Sequence, residues 1–322
     1  MPRKKKKAGS GGEPVARPSI DRRALERTLW DIERLVNAGE FNSFDELNAF
    51  LQALSGPGQL PAPEPSTPLE RAQEVMYQAW GAQGPRRVEL ARQALALSED
   101  CADAYVLLAE EEAQSAEEAR ELYERGVRAG ERAIGPEHFQ EWAGHFWGVI
   151  ETRPYMRARA GLASILWHLG QREQAVAHYQ EMLRLNPGDN QGLRYVLASC
   201  LLELGEDEAL GELLDYYGDE PTADWQYTRA LWLFRRQGTG TEADTALDRA
   251  LTTNPFVVFY LLGVKQLPNR LPDYVGVGDE SEAIAYVADN AQAWYETEGA
   301  LEWFVGVFQA KMAMGDLGAE PG

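Results

Sequence analysis

Cysteine, histidine and lysine are scarce in these 322 residues, at two, four and six copies. Cys101 and Cys200 cannot build a disulfide framework and neither sits in a CxxC pair, so a reduced, cytoplasmic setting fits best. His138 and His145 are seven apart with Glu141 between them on one helical face. A structural metal site wants three or four ligands at tighter spacing, and no HExxH is present, so neither metal nor cofactor is expected. Long apolar runs are missing too. The stretch at residues 257–264 contains a glycine and falls far short of the roughly 20 residues that span a bilayer. The N-terminal segment is polybasic without an apolar h-region, which does not read as a signal peptide, and membrane insertion is not expected. No GxSxG, Walker loop or Ser/His/Asp order occurs. Gly238-Thr-Gly240 and Gly276-Val-Gly278 follow no strand pattern and read as turns. The chain is expected not to be an enzyme.

Positive charge is also lacking, except at one end. The formal charge is −20, yet residues 1–23 hold eight basic residues against two acids, or +6, which leaves −26 on the rest. Such a body is a poor partner for duplex nucleic acid. Residues 1–18 run from the Lys4 to Lys7 cluster into Gly, Ser and Pro with no apolar periodicity, which predicts a disordered basic tail. That tail is either an electrostatic tether for nucleic acid or an acidic partner, or a solvated tail that aids solubility. The triplet Glu110-Glu111-Glu112 reads as a solvated helix face, with docking of a basic peptide as the alternative.

What is abundant is apolar residues, 44% of the chain, at helical spacing. Leu25, Leu29, Ile32 and Leu35 form one stripe, and Ser43 with Glu46 forms a capping box for a second helix. Residues 19–54 therefore read as a helical hairpin. The proline and glycine crowded into residues 55–67 make a linker. From Pro68 onward the pattern is helix–turn–helix, and nothing alternates as a sheet would. The fold class is all-α.

A fixed offset organises the body. Gly170 and Gly238, Ala175 and Ala243, Tyr179 and Leu247, and Pro187 and Pro255 are each 68 apart, twice 34, with Gly205 between. Leu162-Ala163 and Leu166 give the packing face of a first helix, Gly170 the turn, Ala175 and Tyr179 the second helix, and Pro187 the close. Bulk at Ala175, where the two helices approach, would cost about 1–3 kcal/mol in overpacking. The copy ending at Pro255 keeps Gly238, Ala243, Leu247 and Ala250. The copy between keeps Leu197-Ala198, Leu201 and Gly205 but has no closing proline at the expected place. Weaker copies run through Ala91, Ala94, Leu95 and Leu97, and through Tyr105, Leu108, Ala109, Ala119 and Tyr123. The period fails near residues 127–155, an insertion carrying Phe139, Trp142, Phe146 and Trp147.

This pattern resembles the tetratricopeptide repeat (TPR). The strings CADAYVLLAEEE at 101–112, ETRPYMR at 151–157 and NPGDNQGLRY at 186–195 narrow it further. They are similar to the tetratricopeptide proteins related to the suppressor of tumorigenicity seven, over roughly residues 68–305. The resemblance implies a helical repeat fold and no established catalytic chemistry. The expected architecture is a right-handed solenoid of repeats over residues 68–255, since no single repeat buries its own face.

A solenoid end exposes an apolar face, so residues 256–314 read as a helical cap. Residues 256–264 suggest a short helix, and Leu267-Pro268 with Leu271-Pro272 an extended loop. Asp279 and Glu282 suggest a capping box for a helix carrying Ile284, Val287, Ala291 and Trp294. Thr297 would cap a last helix with Leu301, Phe304, Val305 and Phe308, and residues 315–322 should fray.

In such repeats the first helices line a groove. The register assigns to it Arg157, Ser164, Trp167 and His168, then Tyr195, Ser199 and Glu203, then Trp225, Thr228, Trp232, Arg235 and Arg236. Aromatics interleaved with arginines are enriched at interface hot spots. The expected site is therefore Arg157, Trp167, Tyr195, Trp225, Trp232, Arg235 and Arg236. The arginines would take carboxylates of a peptide and the tryptophans its apolar side chains. The opposing reading packs the tryptophans between repeats and pairs the arginines with the acidic surface. A carboxylate clamp is not evident, because Ala160 and Ser164 stand where Lys and Asn would be wanted. The partner is expected to be a protein or peptide, with nucleic acid only through the basic tail. The rival readings are a nucleic-acid adaptor and an enzyme without a recognisable motif.

Overall fold

A computed structural model describes residues 22–39, 41–54, 64–272 and 274–314. The basic tail of residues 1–18, linker residues 55–63 and residues 315–322 lie outside them. The described residues hold helices and turns and no strand, and the chain divides into two units, residues 1–99 and 100–322.

The first unit contains α1 (Arg22–Ala38), α2 (Phe44–Leu54), α3 (Pro68–Gly81) and α4 (Pro85–Leu97). The Ser43 hydroxyl accepts the Glu46 amide at 3.2 Å while the Glu46 carboxylate accepts the Asn42 amide at 2.7 Å, so α2 starts at its box. The stripe expected on α1 is displaced. Leu25 and Leu29 are exposed, and Trp30 is the buried residue, 5.3 Å from the Tyr77 ring of α3. Arg27 reaches Glu74 at 2.6 Å and Arg34 reaches Glu70 at 3.3 Å, which turns the Trp30 side of α1 towards α3.

The second unit stacks four helix pairs: α5 (Ala102–Glu111) with α6 (Ala116–Glu141), α7 (Arg153–His168) with α8 (Arg172–Leu185), α9 (Leu193–Leu204) with α10 (Asp207–Tyr217), and α11 (Ala223–Gln237) with α12 (Thr241–Thr253). Two of the pairs close at the left-handed glycine the sequence implies, whereas α5 ends at Glu112 without a glycine and Gly238 after α11 takes φ 71° with an extended ψ of −155°. Gly170 and Gly205 adopt left-handed φ of 76° and 72°. The following amides, of Gln171 and Glu206, reach back to the carbonyls of Leu166 and Leu201 at 2.9 and 3.0 Å. That is a Schellman cap, which glycine adopts without a Cβ penalty. Ala175 and Ala243 are both fully buried. The second unit is thus an all-α helical solenoid.

Where the period fails, α6 simply continues. It kinks at Gly135-Pro136 and hands over to two 3₁₀ turns, Phe146–Gly148 and Ile150–Thr152. Phe139, Phe146 and Tyr155 form a ring cluster with centroids 5.0 to 6.0 Å apart. Of the insertion's aromatics, Phe146 is therefore core, while Phe139, Trp142 and Trp147 are partly buried against the core.

The chain ends in α13 (Val257–Leu261), α14 (Glu280–Glu296) and α15 (Ala300–Met314). Asp279 caps α14, accepting the amides of Ser281 and Glu282 at 2.8 and 3.2 Å. Glu282 departs from a simple box. Its buried carboxylate accepts the amides of Gly278 at 2.8 Å and Ala223 at 3.0 Å and the Asn254 side chain at 2.9 Å, so one residue fastens the starts of α11 and α14 and the end of α12. Thr297 serves the other end of α14, its hydroxyl donating to the Ala293 carbonyl at 2.7 Å. Trp294, Tyr286 and Phe304 are fully buried. Burying large aromatic side chains of this kind contributes about 1.5–3 kcal/mol each. Among the described residues no helix is long and apolar enough to cross a membrane.

Candidate functional site

The face presented by the first helices α7, α9 and α11 is where the sequence register placed the site. Two kinds of contact occupy it. One is arginine chemistry between successive repeats; the other is α14, which lies across α9 and α11. Apolar residues of α14 recur as Ala283, Tyr286, Val287, Ala293 and Trp294, all buried, so the helix presents a continuous stripe to the stack.

Three of the seven expected groove residues are committed within the fold. Arg157 donates from Nε and Nη2 to the two carboxylate oxygens of Asp103 at 2.7 and 2.6 Å, joining α7 to α5. Its side chain is 10% exposed and that of Asp103 is 0% exposed, so no incoming carboxylate can replace that partner without stranding a buried charge. Trp225 is 0% exposed and donates its indole N–H to the Gly218 carbonyl at 2.7 Å. It is core. Arg235 donates to the Leu202 carbonyl at 2.6 Å, the Thr297 hydroxyl at 2.8 Å and the Ala293 carbonyl at 3.3 Å. Arg235 also pairs with the chain's own Asp207 carboxylate at 3.7 Å, and the rest of its guanidinium is taken by the C-terminal end of α14, which sets the favourable sign against a helix dipole.

The remaining four are partly open. Trp167 is half-buried beneath Arg172, whose guanidinium lies 4.9 Å from the ring and pairs with Glu203 at 2.8 Å. Tyr195 sits in a polar knot in which Arg194 donates to its hydroxyl at 2.9 Å, to Asp189 at 2.8 Å and to Glu220 at 3.1 Å. Burial, reinforced by the Glu220 carboxylate, pushes the Tyr195 phenol up to about 12. Trp232 donates to the Asp207 carbonyl at 2.7 Å, and its ring lies so close to α10 that a Cβ added at Gly211 would come within 2.7 Å of it. Arg236 is exposed and stacks on the outer face of that ring at 5.0 Å. In the same register Ser164 and His168 of α7 and Val196 of α9 are exposed, the last at 42%. Val196 follows Tyr195 in the groove register and was not among the expected residues.

The other candidates are ordinary side chains in their elements. His138 stacks on Trp142 with ring centroids 4.4 Å apart and bonds the Ile134 carbonyl at 3.0 Å. Among the described residues no three His, Cys, Asp or Glu side chains gather as metal ligands. Both cysteines are buried, and desolvation pushes each thiol up to about 12, which makes them poor nucleophiles. Asp224, in the first turn of α11, is the most displaced carboxyl. Desolvation, then the carboxylates of Glu282 and Asp289 on α14, raise it to about 7.

Paired helices stacked at a repeating register, with left-handed glycine caps at Gly170 and Gly205, define a helical-repeat protein of the tetratricopeptide type. The chain resembles the ST7 family: residues 65–145 match the family model described as "ST7 protein". It is 32% identical over 262 residues to "Suppressor of tumorigenicity 7 protein-like" of Rattus norvegicus, covering 72% of this chain and 46% of that one. The Homo sapiens protein of the same description is 31% identical over 262 residues, covering 72% and 44%. "Protein ST7 homolog" of Caenorhabditis elegans is 28% identical over 271 residues, covering 71% and 49%. The chain thus spans about half the length of the curated relatives it matches. A solved structure described as "Crystal structure of YrrB: a TPR protein with an unusual peptide-binding site" is 18% identical, covering 68% of this chain and 98% of that one, with a TM-score of 0.43.

Proposed function

We infer that the protein is a non-enzymatic interaction scaffold whose first-helix face receives a polypeptide segment of a partner protein. One observation carries this reading: that face already holds such a segment, α14, seated on α9 and α11 with its end gripped by Arg235. The partner's share is the strip beside it, with Trp167, Ser164, His168 and Val196, extended by Tyr195 and by the exposed Arg236 on Trp232. The acidic body supports a protein rather than a nucleic-acid partner. Two buried, unpaired thiols support a reduced, cytoplasmic setting. The non-enzymatic part rests on the sequence, which carries no nucleophile-elbow, Walker or dinucleotide motif.

The test is photo-crosslinking in the native host from position 168, with position 242 on α12 as a control. A discrete species captured only from position 168, and lost in the double variant Val196→Glu with Ser164→Arg at unchanged melting temperature, is the expected result. Identical capture from both positions, or capture that survives the double variant, places the partner elsewhere.

A further inference from the structure

One face of α1 is left open. Trp30, Arg27 and Arg34 turn one side of the helix to α3, through the Tyr77 ring and the carboxylates of Glu74 and Glu70. On the opposite side Leu25, Leu29, Ile32 and Val36 follow one another at intervals of four, three and four residues. Leu25 is 50% and Leu29 38% exposed, and Ile32 and Val36 are half-buried. The helix cannot roll to hide this stripe, because rolling would carry Trp30 into solvent and part both ion pairs. Nor does α2 close it. Phe44 of α2 is 82% exposed, and none of the described residues of α2 is buried.

The spacing says what fits the stripe. Steps of four, three and four are the a and d positions of two heptads, the seam through which one helix meets another. A helix that covers a globular core carries a wider stripe.

Charge says whose helix it is. The chain carries −20, yet residues 1–54 hold ten basic and eight acidic residues, a net +2, which leaves −22 on the rest. Two copies therefore repel one another through most of the chain, and the segment that contains α1 is where that repulsion is absent. A second copy also brings an identical seam in the same register, which is what a two-fold, self-complementary contact requires.

We propose that α1 is a homodimer seam, through which two copies of this chain pair by Leu25, Leu29, Ile32 and Val36. The seam uses no residue of the first-helix face, so it stands independently of the function proposed above.

Sedimentation equilibrium of the intact chain, from about 1 to about 200 μM, tests it. A reversible monomer–dimer equilibrium within that range is expected, weak because the seam is only two heptads long. Leu25→Glu combined with Leu29→Glu, both at exposed positions, should weaken the dimer at least ~10-fold while circular dichroism stays that of the wild type. Val264→Glu, at an apolar position 72% exposed but outside the seam, should leave the dimer unaltered. A nitroxide on Thr28→Cys, exposed beside the seam, gives a second measurement, since Cys101 and Cys200 are buried and escape labelling. Paired helix axes lie about 8–10 Å apart, so a label-to-label distance below about 30 Å is expected in the dimer. A chain still monomeric at about 200 μM, a dimer that survives the double variant, or a dimer without that short distance overturns the proposal. The first of these outcomes leaves the seam to a helix of a different protein.

Discussion

The Arg157 guanidinium holds both carboxylate oxygens of Asp103 across 54 residues of sequence, at 2.7 and 2.6 Å, with the acid fully buried. Two of the three strings through which this chain resembles its relatives meet in that pair, since Asp103 lies in the first and Arg157 in the second. Asn186 of the third string instead holds the insertion, its side-chain oxygen accepting the Trp147 amide at 3.3 Å, four residues before the second string begins.

Removing half of that pair should be severe. Arg157→Ala removes both guanidinium bonds from the fully buried Asp103 carboxylate, at a cost of about 3–5 kcal/mol. Replacing both residues by apolar side chains of similar volume should cost far less. Urea denaturation of the two variants beside the wild type checks this; equal losses would mean that packing, not charge, dominates.

Arg235 and Arg236 are neighbours with opposite expectations. Arg235→Ala removes bonds to the Leu202 carbonyl, the Ala293 carbonyl and the Thr297 hydroxyl. It should destabilise the chain by about 1.5–3 kcal/mol, as hydrogen bonds from a charged group do. Arg236→Ala should stay within about 0.5 kcal/mol, as a surface change does. Melting temperatures of the two variants give the comparison directly.

Asp224 predicts a slope of stability with pH. Its folded pKa lies above the ordinary carboxylate value, at about 7, so between roughly pH 4 and 7 the folded chain holds a proton that the unfolded chain releases. Its contribution is present at low pH and is lost as pH rises through that window. Asp224→Asn should flatten the slope and raise stability at pH 8, by on the order of 4 kcal/mol if the full displacement from 3.8 to about 7 is recovered. Denaturation midpoints at pH 5 and pH 8 test the sign.

Local features were legible because their causes are local. Gly170, Gly205, Ala175 and the Ser43 and Asp279 caps each act within a few residues of chain, where spacing alone reveals them. The register even placed Trp167, Trp232 and Arg235 on the correct helices. What it could not reveal is occupancy. Arg235 looks like a free groove arginine until α14, some 60 residues onward, is found against it, and no periodicity encodes where a later helix docks. Trp225 was lost in the same way, since position on a groove-facing row says nothing of what covers the row. On α1 the leucine stripe outvoted Trp30, because a count of apolar positions ignores the ring surface that one tryptophan buries and the two arginines that anchor its side.

The Glu282 carboxylate has a consequence for the evolution of the array. Repeat proteins lengthen and shorten by duplicating units that touch only their immediate neighbours. Here the last unit is fastened from outside the array, through the Ala223 amide and the Asn254 side chain. A unit duplicated after α12 would have to part those bonds and lift α14 from α9 and α11. The number of repeats at this end is therefore frozen, and lineages that vary it should do so on the far side of α9.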